Sequence, residues 1–108
     1  MKKAILILFA SLSVSTLNAQ CEGGRYINKI FSQTIRTKDI AYTNARNAAG
    51  AMQNVMMDVF EPKNDTAALR PLVIFEHGGA YWTGTKDYES QIAMGEEFAK
   101  RGYVVSSA

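Results

Sequence analysis

Apolar and polar positions follow several rhythms along this chain, and each predicts a different element. An apolar run, Ala4 to Leu17, comes first, interrupted by Ser11, Ser13, Ser15 and Thr16. Two β-prone stretches, Ile30–Thr37 and Ile40–Thr43, follow an irregular lead-in and flank Lys38-Asp39. Residues 44–50 are small and polar and read as a loop. Val55, Met57 and Val59 then alternate with Met56, Asp58 and Phe60, the period of two that marks a strand, which Pro62 should end. After a second loop, Leu72-Val73-Ile74-Phe75 is continuously apolar and predicts a strand buried on both faces, inside a parallel or mixed sheet covered by helices. The spacing of Tyr88, Ile92 and Ala99, with Met94 and Phe98 beside them, predicts a helix from about Tyr88 to Arg101. Asp87 is its expected cap, Glu89 stands near its positive end, and Gly102 is its stop. Tyr103 to Ser107 starts another strand, in which the sequence ends. The second half therefore reads as a βαβ unit with parallel strands, after an antiparallel hairpin, and the fold class is α/β.

The first run has a separate meaning. Lys2 and Lys3 precede it and Asn18-Ala19-Gln20-Cys21 follows it, the layout of a secretory signal peptide with a small residue at the cut. The apolar run is shorter than the ~20 residues a bilayer-spanning helix requires, so residues 1–19 are expected to be cleaved after Ala19, leaving no stable membrane span. Cys21 opens a second reading, a lipidated cysteine as mature N-terminus. Gln20 argues against it, because such sites take Gly, Ala or Ser there. Either way the mature protein is expected outside the cytoplasm, secreted or periplasmic.

Charge changes its meaning once this leader is set aside. The chain of 108 residues carries 12 basic and 10 acidic side chains, a formal charge of +2. Both excess cations are Lys2 and Lys3, so the remainder is neutral. No basic cluster of the kind that grips phosphates is left, and nucleic acid is excluded as a partner. A hydrophobic content of 47% with one Cys and two Pro suits a globular chain and excludes collagenous, low-complexity and disulfide-framed ones. Outside the cytoplasm Cys21 is either a free thiol or one half of a disulfide whose partner lies beyond this sequence.

Candidate chemistry concentrates in Glu76-His77-Gly78-Gly79-Ala80-Tyr81-Trp82-Thr83-Gly84, directly after the apolar strand. Adjacent glycines allow close approach of backbone to a ligand, and successive amides in such a turn can converge on one anion. At the carboxyl end of a sheet strand, where ligands of open α/β folds collect, the spot is a candidate oxyanion hole. His77 has a plainer reading as a strand-end histidine bonded to backbone. Tyr81 and Trp82 are as readily packing residues as pocket walls. Asp87 and Glu89 are read as helix-start residues rather than catalytic acids, and Asn64-Asp65-Thr66 as a turn rather than a glycosylation site.

With these elements in this order, the chain from about Ile30 to Ala108 resembles the α/β-hydrolase superfamily, in particular exported carboxylesterases and relatives of hormone-sensitive lipase. Those proteins carry a His-Gly-Gly-Gly-aromatic loop after the third strand. The resemblance implies that the Gly79 and Ala80 amides form the oxyanion hole, that Gly78 allows the turn, that His77 braces the loop, and that Tyr81 and Trp82 line the substrate pocket. Ala80 stands where the family has a third glycine. The resemblance implies a small-molecule ester substrate, with neither cofactor nor metal.

The family's nucleophile sits in a Gly-x-Ser-x-Gly elbow, and no serine here has glycines two residues away on both sides. His77 is the single histidine. The expectation is therefore an N-terminal portion of a longer hydrolase domain, residues 20–108, cut in its fourth strand, with the triad elsewhere. In the family's strand order the third strand lies between the fourth and the fifth, so Leu72–Phe75 should have one bare edge. An amidase or peptidase of the same fold, and a catalytically dead binding protein that kept it, are the alternatives.

Overall fold

A computed structural model describes residues 22–80 and 82–108. The expected signal peptide, its cut after Ala19, Cys21 and Tyr81 lie outside the described residues. Four strands and one helix follow a single turn at Glu22–Gly24: β1 Thr34–Arg46, β2 Met52–Pro62, β3 Leu72–Phe75, α1 Glu89–Ala99 and β4 Val104–Ser107. They form one mixed sheet in the order β1-β2-β4-β3. β1 with β2 and β2 with β4 are antiparallel, while β3 and β4 are parallel across Leu72↔Val104 to Phe75↔Ser107.

The hairpin is longer than the sequence pattern suggests. β1 begins only at Thr34, because residues 30–33 turn toward the helix, where the Phe31 amide donates to the Lys100 carbonyl at 3.0 Å. Lys38-Asp39 does not break the strand; Asp39, with φ of 57°, forms a bulge that shifts the register between Thr37 and Ile40. Residues 44–46, expected in a loop, pair with β2 through Asn44↔Asn54 and Arg46↔Met52. The ladder overrides their weak strand preference, and the turn shrinks to the segment after Arg46, where the Asn47 side-chain oxygen accepts from the Ala49 and Ala51 amides.

The helix begins at Glu89 with Tyr88 as cap residue, and no side chain caps it. Asp87 does not fill that role, because ion pairs to Lys86 and Arg36 engage its carboxylate. At the other end Lys100 is the cap residue and Gly102, at φ of 102°, turns the chain out.

The core lies where α1 crosses β2 and β4. Phe60, Ala99 and Val105 are fully buried, with Val73, Phe75, Ile92, Phe98 and Tyr103 packed around them. Gly95 explains how close the helix comes: a Cβ there would lie 2.7–2.9 Å from three atoms of the Phe60 ring. The lead-in is strapped to the helix end by Arg25, whose guanidinium binds both carboxylate oxygens of Asp65 at 2.6 and 3.1 Å and donates to the Gly102 carbonyl at 3.2 Å.

β3 departs from its expected burial. Val73 and Phe75 face the core, but Leu72 is 59% and Ile74 67% exposed. The helix covers one face of the sheet; on the other, Leu72 and Ile74 stand open at β3, while Ser106 of β4 is buried. β3 pairs with β4 alone, so its outer edge is free among the described residues. No described helix is long and apolar enough to cross a membrane.

Candidate functional site

The parallel pair β3 and β4 ends where the glycine-rich loop begins. The Ala108 amide donates to the Phe75 carbonyl at 2.9 Å, and the His77 amide donates to the Ala108 carbonyl at 3.2 Å. This fixes the first residues of the loop to the carboxyl end of the sheet. The chain then reverses around Gly79, whose carbonyl accepts from the Trp82 and Thr83 amides at 3.0 and 3.2 Å.

The loop's conformation demands particular residues. Gly79 has φ of 140°, and a Cβ there would collide with the Thr83 carbonyl. Gly84 has φ of 130°, and a Cβ there would run into the His77 ring and the Gly78 carbonyl. Ala80 adopts φ of 51°, a left-handed conformation that costs a non-glycine residue roughly 1–2 kcal/mol. At Gly78, by contrast, φ lies outside the left-handed region and a Cβ would meet open space. The turn therefore depends on Gly79 and Gly84, and holds Ala80 at a cost. The His77 Nδ1 lies 2.9 Å from the Gly78 carbonyl, an acceptor, so Nδ1 carries the proton and the ring folds back onto its own loop.

Neither the Gly79 nor the Ala80 amide donates to any group among the described residues. Both border a cavity of about 380 Å³ lined by Glu76, His77, Gly78, Gly79, Ala80 and Thr83. A second cavity of about 410 Å³ shares Glu76 and His77 and is otherwise walled by Tyr42, Val55, Ile74 and Ala108. The geometry brings His77, Gly78, Gly79 and Ala80 together. Trp82 is not in the lining and is 84% exposed. Glu76 and Thr83 join the lining without having been singled out in the sequence. The one signal for Glu76 is its place at the end of an apolar strand, immediately before the histidine.

An ion network ties down the far end of the loop. Lys86 Nζ lies 2.8 Å from Asp39, 2.9 Å from Asp58 and 3.0 Å from Asp87. Asp58 is completely buried and also accepts from Arg36 Nε at 2.7 Å and from the Asp39 amide at 2.9 Å. Arg36 reaches on to Asp87 at 2.6 Å. Burial alone would raise the Asp58 carboxyl pKa, but the Asp39 amide, Lys86 and Arg36 more than offset it and hold the group below the usual carboxylate range. Burial likewise works against the Lys86 ammonium, and its three carboxylates reverse that, raising its pKa above the ordinary lysine value. The Ser107 hydroxyl donates to the Lys86 carbonyl at 3.1 Å and lies 2.9 Å from the Gln91 side-chain amide. The sequence carried one signal of this network: Asp58 shares its strand phase with Phe60, so an acid stands on the core-facing side. The acids that converge do so on Lys86 and Arg36. Among the described residues no cluster of His, Cys, Asp and Glu has the arrangement to hold a metal ion.

The described residues thus define an α/β protein, a four-stranded mixed sheet with one helix on its face and a glycine-rich loop at the end of a parallel strand. In comparisons with known proteins, no family model, no curated protein and no solved structure matches the chain.

Proposed function

We propose that this chain supplies the oxyanion-hole loop of an exported serine ester hydrolase of the α/β-hydrolase type, resembling carboxylesterases and hormone-sensitive-lipase relatives. The observation that carries the reading is the pair of consecutive amides, Gly79 and Ala80, without partners among the described residues and bordering a cavity at the carboxyl end of a parallel strand. An ester carbonyl oxygen seated against these amides gains negative charge as a serine attacks the carbon. Fixed donors aimed at that oxygen stabilise the tetrahedral intermediate without reorganising, and one such donor is worth ~3 kcal/mol. In this reading the serine, its histidine and its acid lie on residues outside this sequence, because no elbow serine and no second histidine occur within it. His77 is committed to the loop, its Nδ1 proton held by the Gly78 carbonyl.

The test uses the product of the full coding sequence with a short-chain nitrophenyl ester. Hydrolysis is expected, and Ala80→Pro, which deletes one amide donor and cannot hold the φ of 51°, should lower kcat about a hundredfold or more, while Ala80→Gly, which keeps the amide and suits that φ, should retain it. An unchanged kcat rejects the oxyanion role. Cleavage of amides in preference to esters would move the protein to the amidase or peptidase class of the same fold. Turnover of neither, with the elbow serine replaced, would make it a binding protein.

A further inference from the structure

The loop is pinned at two places, and only one of them is the sheet. Its first residues are held by the backbone bonds of His77 and Ala108. Its last residues are held by Lys86, whose side chain is buried under the hairpin against Asp39, Asp58 and Asp87, and whose carbonyl takes a hydrogen bond from Ser107. Asp58 and Ser107 are themselves paired across β2 and β4, so Lys86 is anchored where β4 ends beside the interior of β2. A single residue, Thr85, separates Lys86 from Gly84. Gly84 lies against the His77 ring and the Gly78 carbonyl so tightly that a Cβ would not fit. A shift at Lys86 is therefore passed through Gly84 to the segment that presents the Gly79 and Ala80 amides.

From this geometry we infer that Lys86 is a positioning residue: clamped by Asp58, Asp39 and Asp87, it sets the Gly79 and Ala80 amides for the developing oxyanion. The inference rests on the ester-hydrolase reading. It requires no new bond to substrate; Lys86 acts through the loop backbone. Arg36 completes the clamp from the other side by holding Asp58 and Asp87 in place for the ammonium.

The experiment compares wild type, Lys86→Met and Lys86→Arg in the full-length protein, reading kcat and KM on nitrophenyl acetate and inhibition by a trifluoromethyl ketone. The ketone takes up the serine as a hemiketal oxyanion and so reports on the hole. Lys86→Met should lower kcat by about ten- to hundredfold with little change in KM, since small misplacements of a catalytic group cost that much. Ketone affinity should fall in parallel, and Lys86→Arg should recover most of both. Wild-type kcat in Lys86→Met, or a fall in kcat without a matching fall in ketone affinity, overturns the inference. If Lys86→Met does not fold, Asp87→Asn decides, since that carboxylate is part exposed and its loss removes one arm of the clamp. A parallel fall of about threefold in kcat and ketone affinity supports the role, on the scale of one weakened charged contact, and unchanged values overturn it. Loss of activity in Ala80→Pro but not in the clamp variants removes this inference alone, whereas a wild type inactive on esters removes the underlying reading with it.

Discussion

Asp58 stands on the same face of β2 as Phe60, opposite the uniformly apolar phase of Val55, Met57 and Val59, and it is as fully buried as that phenylalanine. An isolated carboxylate there would cost several kcal/mol, so the position is tenable only because Arg36, Lys86 and the Asp39 amide surround it. Removing one partner of such a pair is more damaging than never having built it. Asp58→Asn is expected to cost about 3–5 kcal/mol at neutral pH, measured by urea unfolding of the full-length protein. The pH dependence follows from the same residues. The Asp58 carboxyl is depressed below its ordinary 3.8, so its stabilisation is complete above that value and is lost as pH falls through the lower folded-state value. Asp65, depressed first of all by its Arg25 hydrogen bonds, adds to the same acid limb. Lys86 is raised from 10.5, so its share is complete below that value and fades only at higher pH as it rises through the folded-state value. Stability should therefore be level across the neutral range and fall below about pH 4, the ordinary carboxylate range. Asp58→Asn should flatten that acid limb; a mutant as acid-sensitive as wild type would show that the network does not set it.

At the level of elements, the contact between α1 and β2 is set by one absent side chain. Glycine inside a helix costs about 1 kcal/mol against alanine, so Gly95 is a local disadvantage that the packing overrides. Its Cα approaches the Phe60 ring so closely that Gly95→Ala would push the helix outward. The expected result is a net loss of about 1–2 kcal/mol despite the gain in helix propensity, because overpacking a core typically costs 1–3 kcal/mol. In a double-mutant cycle with Phe60→Leu, the second substitution should relieve the strain of the first; strict additivity would mean that the two residues do not press on each other. Helix and strand identities were legible from periodicity, and their boundaries were less so. Asp87 had the chemistry of a cap, but its carboxylate was drawn to Lys86 and Arg36, partners that no local pattern shows. Residues 44–46 had the composition of a loop, and pairing with β2 made them strand.

Across the whole molecule, the sheet is finished on one side and open on the other. Phe75 and Val73 pack toward α1, while Leu72 and Ile74 face outward on a strand whose outer edge is unpaired among the described residues. A free edge beside exposed apolar side chains templates association. Residues 20–108 produced alone should be insoluble, molten or concentration-dependent in size, and Ile74→Lys should improve their solubility. A sharp unfolding transition from a monomer, independent of concentration, would overturn this. In the longer protein proposed above, the same substitution should instead destabilise, because the outward face of β3 would then be covered.

Local chemistry was enough to identify the α/β class, the hairpin, the strand-helix-strand unit and the glycine loop, because periodicity, glycine and charge act over a few neighbouring residues. That a glycine must turn the chain here was legible because φ is a backbone property, but the resemblance gave the turn to Gly78, and it is Gly79, at φ of 140°, that makes it. The roles of Gly84, Gly95 and Lys86 were decided by tertiary structure. Each depends on what stands opposite: the His77 ring, the Phe60 ring, and three acids drawn from β1, β2 and the loop. So does the burial of β3, which the apolar run Leu72–Phe75 assigns to both faces and the sheet grants to one, since a strand's sequence records what its faces can tolerate and only its neighbours determine which face is covered.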